Sequence, residues 1–176
     1  MSVEPAPTST TPGVAPLPRL IGHQCFACGT ANPHGLHMRF AVEGETVRSE
    51  VTLSADHAGW VHMAHGGIVS TLLDEIMAWS VIAFRRRLFV TRKMDVRFRA
   101  PVPLGVPLVV RGGLDDRKAF RGQRAWGRIE DPSGRVLADS RGEMTYVDEA
   151  WFGDMDSLVH DDMVTFFELL DAPDPE

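Results

Sequence analysis

His65-Gly66-Gly67-Ile68-Val69-Ser70-Thr71-Leu72-Leu73-Asp74-Glu75-Ile76-Met77-Ala78-Trp79-Ser80-Val81-Ile82-Ala83-Phe84 is the one long helical stretch in this chain of 176 residues. Its apolar side chains recur almost all round the helix, which marks a segment buried on most sides and not laid on a surface. Asp74 and Glu75 interrupt the apolar run at its middle. A membrane-spanning reading would place both carboxylates at the centre of a bilayer, so the stretch is a core helix of a globular domain. At about 100° per residue, Asp74 falls on the side of Ser70, Met77 and Val81, and Glu75 points about 100° away. The two acids therefore meet different surroundings. A carboxylate on a buried helix is costly unless paired, which makes such an acid a candidate for chemistry. Gly66 and Gly67 at the helix start let backbone approach a ligand closely and leave free N–H groups at the positive helix end. That arrangement can polarise a carbonyl or hold an oxyanion.

Working outward, residues 36–42 and 46–53 read as strands joined by a turn at Glu43-Gly44-Glu45. Residues 54–64 form a loop carrying His57, Gly59, Trp60 and His62. Beyond the helix, residues 88–100, 106–114, 118–130 and 135–147 read as four strands. The turns between them include Pro101-Val102-Pro103-Leu104-Gly105 and Asp131-Pro132-Ser133-Gly134. Short connections between consecutive strands imply an antiparallel meander. The expected fold class is α+β, one long helix crossed by an antiparallel sheet of about six strands.

The ends differ in character. Residues 1–19 are rich in Pro, Thr, Ala and Ser and are expected to form a flexible leader; residues 20–148 form the folded domain. Residues 149–176 form an acidic tail with an amphipathic helix over 154–170, read from Met155, Leu158, Val159, Met163, Phe166, Phe167 and Leu170. The N-terminus lacks the basic start and apolar core of a secretory signal, so the expected compartment is the cytoplasm. Cys25 and Cys28 are then thiols or metal ligands, not a structural disulfide. With His23 they resemble half of a zinc site, but a full set needs about four ligands, which His34 or His37 would have to complete. With no second cysteine pair, no metal is assigned.

The formal charge of −6 comes from 18 basic and 24 acidic side chains and argues against nucleic acid as a partner. The average conceals an asymmetry. Residues 85–128 hold 13 Arg and Lys against three acids, and residues 148–176 hold ten acids and no Arg or Lys. A strongly basic middle raises the question of an anionic ligand.

Four segments, in order, carry a family resemblance. They are Cys25-Phe26-Ala27-Cys28-Gly29 with Asn32-Pro33-His34-Gly35-Leu36, then His57-Ala58-Gly59-Trp60, then His65-Gly66-Gly67 through Leu72-Leu73-Asp74-Glu75, and finally residues 96–105. The chain resembles, over about residues 20–148, the hotdog-fold thioesterases, in the PaaI-type branch of the 4-hydroxybenzoyl-CoA thioesterase superfamily. The resemblance implies a long helix wrapped by an antiparallel sheet, a homodimer or homotetramer, and acyl-CoA or acyl-phosphopantetheine thioesters as substrates. Coenzyme A would be part of the substrate, with no separate cofactor. The position nine residues after the motif histidine, here Asp74, would act as nucleophile or as base on water. The Gly67 amide would polarise the thioester carbonyl, His65 would shape the loop, and Gly66 would permit close approach. Val61-His62-Met63-Ala64 departs from many relatives, so His62 adds an ionisable group near the site.

The basic middle gains a purpose on this reading, because Arg forms bidentate bonds to phosphates such as those of coenzyme A. Arg97 and Arg99 are the first choices, and Arg85, Arg86 and Arg87 the second. Trp60, Met63, Met77, Trp79 and Phe84 would line an acyl pocket or belong to the core. Plainer readings stand beside these: Asp74 in a structural pair, Glu75 in a structural or interface role, and the arginines as solvated strand faces. At the level of function, the alternatives are a non-catalytic acyl-CoA-binding hotdog protein and a hotdog hydratase or dehydratase.

Overall fold

The computed structural model describes residues 2–7, 11–117, 119–147 and 166–168. Strands β1 (Ser2–Glu4), β2 (Val14–Pro16) and β3 (Arg19–Ile21) precede β4 (Ala41–Glu43) and β5 (Thr46–Thr52). A hairpin of β6 (Ala58–Trp60) and β7 (Met63–Ala64) leads into helix α1 (Gly66–Arg85). Strands β8 (Phe89–Phe98), β9 (Pro107–Asp115), β10 (Gly122–Glu130) and β11 (Val136–Tyr146) follow. The main sheet is antiparallel with strand order β2-β4-β5-β9-β10-β11-β8.

α1 lies across one face of this sheet, mainly over β9 and β10. Val69, Leu72, Leu73, Ile76, Met77 and Val81 are all but inaccessible. By length and composition α1 could cross a membrane; here its apolar surface is spent on the sheet. The close approach depends on glycine. Gly112 of β9 and Gly127 of β10 are register partners, and both sit beneath Ile76. A Cβ on Gly112 would stand 2.9 Å from the Ile76 carbonyl oxygen and 2.9 Å from Ser80 Oγ.

The expected α+β architecture is present, with the helix shifted by one residue toward the C-terminus and the main sheet seven-stranded. Three local expectations differ. Residues 36–40 do not pair as a strand, because their backbone is engaged elsewhere: Leu36 N–H donates to Phe26 O (2.8 Å), Met38 N–H to Ala27 O (3.0 Å), and Phe40 O accepts from Leu17 N–H (2.9 Å). The strands after the helix are not a simple meander, since β8 pairs with β11 and β9 pairs with β5. Residues 99–106 make that crossover possible by passing the start of α1, where Ala64 N–H donates to Val102 O (2.9 Å) and Leu104 N–H to His62 O (3.2 Å). Finally, the described part of the expected flexible leader is paired. β1 lies against β3, and β2 extends the main sheet at β4. Burial of Leu17 beside Phe40 gives this polar segment an anchor that its composition conceals.

Most of the acidic tail, including the greater part of the helix expected over 154–170, lies outside the described residues. Residues 166–168 are helical, and Phe166 is buried with its ring edge-on to Trp79, centroids 5.5 Å apart.

Candidate active site

The start of α1 is organised by His65. Its side chain caps the helix, with Nδ1 accepting the Gly67 N–H at 2.9 Å, while its own N–H donates to His57 O (2.8 Å) and its carbonyl accepts Val69 N–H (3.1 Å). The amide expected to polarise a carbonyl is thus held by a neighbouring ring. Gly66 and Ile68, also in the first turn, have N–H groups without a hydrogen-bond partner among the described residues. Gly66 and Val69 line a pocket of about 420 Å³ with Trp60, Met63, Phe98 and Arg99. Trp60 and Phe98 are 77% and 59% exposed, so two large apolar side chains stand at its rim. His62 forms the tip of the β6–β7 turn at φ 64°, the left-handed region, which costs a non-glycine residue about 1 kcal/mol. Its side chain is exposed and lies outside the pocket lining.

Asp74 is half-buried two turns along the helix. Thr91 Oγ1, on β8, donates to Asp74 Oδ1 at 2.9 Å. Burial raises the Asp74 pKa above the ordinary carboxylate value, and the Thr91 hydrogen bond opposes that rise. Asp74 has no ion-pair partner among the described residues, so the structural pairing considered from sequence is not what holds it. Nothing in the sequence marks Thr91, since no spacing rule links a strand threonine to a helix acid 17 positions earlier.

Glu75 points the other way, as the helical geometry requires. Trp79 Nε1 donates to Glu75 Oε1 at 3.0 Å, and the Cys25 thiol lies 3.9 Å from Glu75 Oε2. Burial, then the charge of Cys25, pushes the Glu75 pKa up to about 7. The Cys28 thiol hydrogen bond lowers the Cys25 pKa to about 5, and the same contact with burial raises that of Cys28. Glu75 therefore belongs with the N-terminal loop and lies apart from Asp74's surroundings. His37, one of the residues considered for completing a metal set, instead has Nδ1 bonded to Gly29 O at 2.9 Å. His34 is fixed through its backbone N–H to Asn32 Oδ1 at 3.0 Å.

Many arginines of the basic middle are paired with acids, most of them brought across the sheet from neighbouring strands. Arg99 pairs with Asp139, Arg117 with Asp115, Arg124 and Arg92 with Glu143, and Arg111 with Glu43 and Glu130. Arg85 donates to Gln123, and Arg87 stands 5.3 Å from the Tyr146 ring centroid. A charge window along the chain counts these cations without the partners that the sheet brings beside them. Arg97 and Arg99 both line an open groove of about 740 Å³ on the outer sheet face, while Arg99 also reaches the pocket at the helix start. The two candidate arginines thus share a surface, with Trp60 and Gly66 joined to it through Arg99.

Comparison with known proteins agrees with this architecture. Residues 62–117 match the family model of the Thioesterase superfamily. No curated protein matches the chain. A crystal structure of a thioesterase superfamily protein is similar at 26% identity and a TM-score of 0.59, over 66% of this chain and 56% of its own length. A putative thioesterase from Ralstonia eutropha JMP134, described as phenylacetic acid degradation-related, gives 20% identity and 0.55 over 64% of this chain and 86% of that one. A hypothetical thioesterase from Streptococcus pneumoniae TIGR4, solved with coenzyme A, gives 19% identity and 0.54 over 58% and 79%. The chain therefore has the hotdog fold of thioesterase superfamily proteins, and its match to that family's model begins at His62 and includes all of α1.

Proposed function

We propose that the protein is an acyl-CoA thioesterase of the PaaI-type branch that hydrolyses an acyl thioester to the free acid and CoA. The observation that carries this reading is Asp74: a half-buried acid on the core helix, two turns past a His-Gly-Gly start, with a hydroxyl as its partner and, among the described residues, no cation against it. Ionised, Asp74 either takes a proton from a water that attacks the thioester carbonyl and passes it to the departing thiolate of coenzyme A, or itself attacks the carbonyl and expels the thiolate, leaving a mixed anhydride that water hydrolyses to the free acid, a proton from that water ending on the thiol. Backbone amides at the start of α1 stabilise the carbonyl oxygen as it gains charge. The helix dipole adds to their effect. Arg97 and Arg99 meet phosphates of the coenzyme, Arg99 from its bond with Asp139.

Helical geometry sets a condition on assembly. Gly67 and Asp74 are seven residues apart on one straight helix, about 10 Å along its axis. A single carbonyl cannot be within reach of both. A second copy that brings its own Asp74 to the helix start of the first removes the difficulty, so we take the working unit to be a homodimer or an assembly of dimers. Trp60, at the pocket rim, then shapes the surroundings of the acyl group, whereas Glu75 faces the N-terminal loop and His62 stands outside the pocket lining.

A panel of acyl-CoA and acyl-pantetheine thioesters, followed by release of free thiol, tests the reaction and the carrier together. Turnover of at least one CoA ester supports the proposal; the ratio between paired CoA and pantetheine esters measures what the arginines contribute. Tight calorimetric binding with no thiol release across the panel would instead favour an acyl-CoA-binding protein. The capped Gly67 amide is the observation that keeps this second reading in view.

Thr91 provides a finer test. Its hydroxyl favours the ionised form of Asp74, so Thr91→Val should raise the Asp74 pKa further. The acid limb of the kcat/KM profile should move to higher pH by about one unit, the size expected for one hydrogen bond to a carboxylate. A limb that stays in place would exclude Asp74 as the group that titrates.

A further inference from the structure

A second cluster of reactive side chains lies on the far side of α1 from Asp74. There the sulfurs of Cys25 and Cys28 and a carboxylate oxygen of Glu75 lie within 4.8 Å of one another. The cysteines come from one loop and the acid from the core helix, 50 positions later than Cys25. We propose that Cys25, Cys28 and Glu75 bind a zinc ion that fastens the N-terminal loop to the helix.

The loop has the form such a site needs. Two intervening residues between cysteines is a common spacing for zinc ligands. The loop turns tightly enough for Gly29 N–H to reach Cys25 O at 2.9 Å. A Cβ on Gly29 would stand 2.4 Å from that oxygen and 2.7 Å from His23 O, so only glycine fits after the second cysteine.

The third ligand is also oriented. Trp79 holds Glu75 Oε1 at 3.0 Å, leaving Oε2 toward Cys25 at 3.9 Å. In a tetrahedral zinc site with bonds of about 2.3 Å to sulfur and 2.0–2.2 Å to oxygen, a sulfur and an oxygen ligand are about 3.6 Å apart. The observed separation needs only a few tenths of an ångström of contraction. A partner that fixes the ligand, as the Trp79 indole does here, is a regular feature of metal centres. Trp79 is itself stacked on Phe40, centroids 4.3 Å apart, so the orienting group is held by the core. The fourth position is left to water.

Zinc chemistry suits this donor set better than calcium or magnesium, which select oxygen ligands. Both cysteines are half-buried and free of any disulfide. Sequence spacing alone pointed to histidines for the missing ligands; the fold supplies Glu75.

The test uses untagged, full-length protein, purified under reducing conditions and exposed to excess Zn²⁺ before desalting. Elemental analysis should find about one zinc per chain, and Cys25→Ser and Cys28→Ser should each lose it. Glu75→Gln and the milder Trp79→Phe keep the test open should the serine variants fail to fold. Trp79→Phe should weaken zinc binding about 10- to 100-fold, the usual effect of removing an orienting partner. A strong chelator should lower the melting temperature of the unaltered protein and leave that of Glu75→Gln unchanged. Protein that retains less than about a tenth of an equivalent of zinc while both thiols titrate as reduced would overturn the proposal. So would zinc retained undiminished by folded variants at all three positions. None of these readouts depends on thioester turnover, so the zinc proposal and the thioesterase proposal stand or fall separately.

Discussion

Replacing Asp74 with Asn is expected to lower kcat on a turned-over thioester by about 10²- to 10⁴-fold, the range found when a positioned acid or base is removed. The substitution keeps the side chain's size and its ability to accept from Thr91 Oγ1, so the pocket and sheet should be undisturbed. Stability should not fall. The Asp74 pKa is raised on folding, which means that the folded chain binds this proton more tightly than the unfolded chain. Such a group makes the protein less stable as the pH rises from its unfolded value through its folded one. Asn removes that penalty, so the melting temperature at neutral pH should match or exceed that of the unaltered protein. Loss of turnover with an intact melt assigns Asp74 to the chemistry. Undiminished turnover would place the reaction elsewhere, and a large drop in melting temperature would make Asp74 a structural residue.

Gly112→Ala should give the largest stability effect, a loss of about 3 kcal/mol, at the upper end of what overpacking a core usually costs. The added methyl meets the Ile76 carbonyl at 2.9 Å, an atom of the helix backbone that no rotamer change can move. For a domain of this size the melting temperature should fall by roughly 6–12 °C. Two comparisons sharpen the argument. Ile76→Ala in the same chain should give little relief at Gly112, because the carbonyl remains. Gly127→Ala, whose methyl first meets Ile76 Cγ2 at 2.9 Å, should be partly relieved by Ile76→Ala, which removes that carbon, so the two changes should cost less together than the sum of each alone. Equal rescue at both positions would mean that the helix can lift from the sheet, contrary to the packing described.

Why some of this was legible in the sequence and some was not follows from the range over which each signal acts. α1 could be read because its apolar run and its glycine start are local, and the hairpin turn at Gly44 because a positive φ selects glycine. The strands after α1 showed in their alternation, and their boundaries fell within a few residues. Pairing was harder. Nothing in residues 99–106 reveals that the chain crosses the helix start and returns to β5, because that path is fixed by backbone bonds to Ala64 and His62. Residues 36–40 alternate like a strand and spend their hydrogen bonds on a loop.

The candidate site divides in the same way. That Asp74 and Glu75 face different surroundings follows from their adjacency on a helix. What each meets, Thr91 for one and Cys25 with Trp79 for the other, depends on contacts made by the fold. Charge was the least transferable signal. The excess of cations between residues 85 and 128 is real along the chain, but Glu43, Glu130, Asp139 and Glu143 reach it in space.

The pocket rim at residues 57–65 is fastened by main-chain bonds, from Ala64 to Val102, Leu104 to His62 and His65 to His57. Trp60, Val61 and His62 project outward and are exposed. Evolution can therefore exchange Trp60 and Val61 freely, and His62 among residues that accept a positive φ, while the loop keeps its course, since backbone bonds are indifferent to which side chain follows. A protein built this way can acquire a new preference at its entrance through one or two mutations without first accumulating compensating changes in its core. Directed libraries that vary positions 60 and 61 fully, and 62 among Gly, Asn, Asp and His, should accordingly retain a high fraction of folded members.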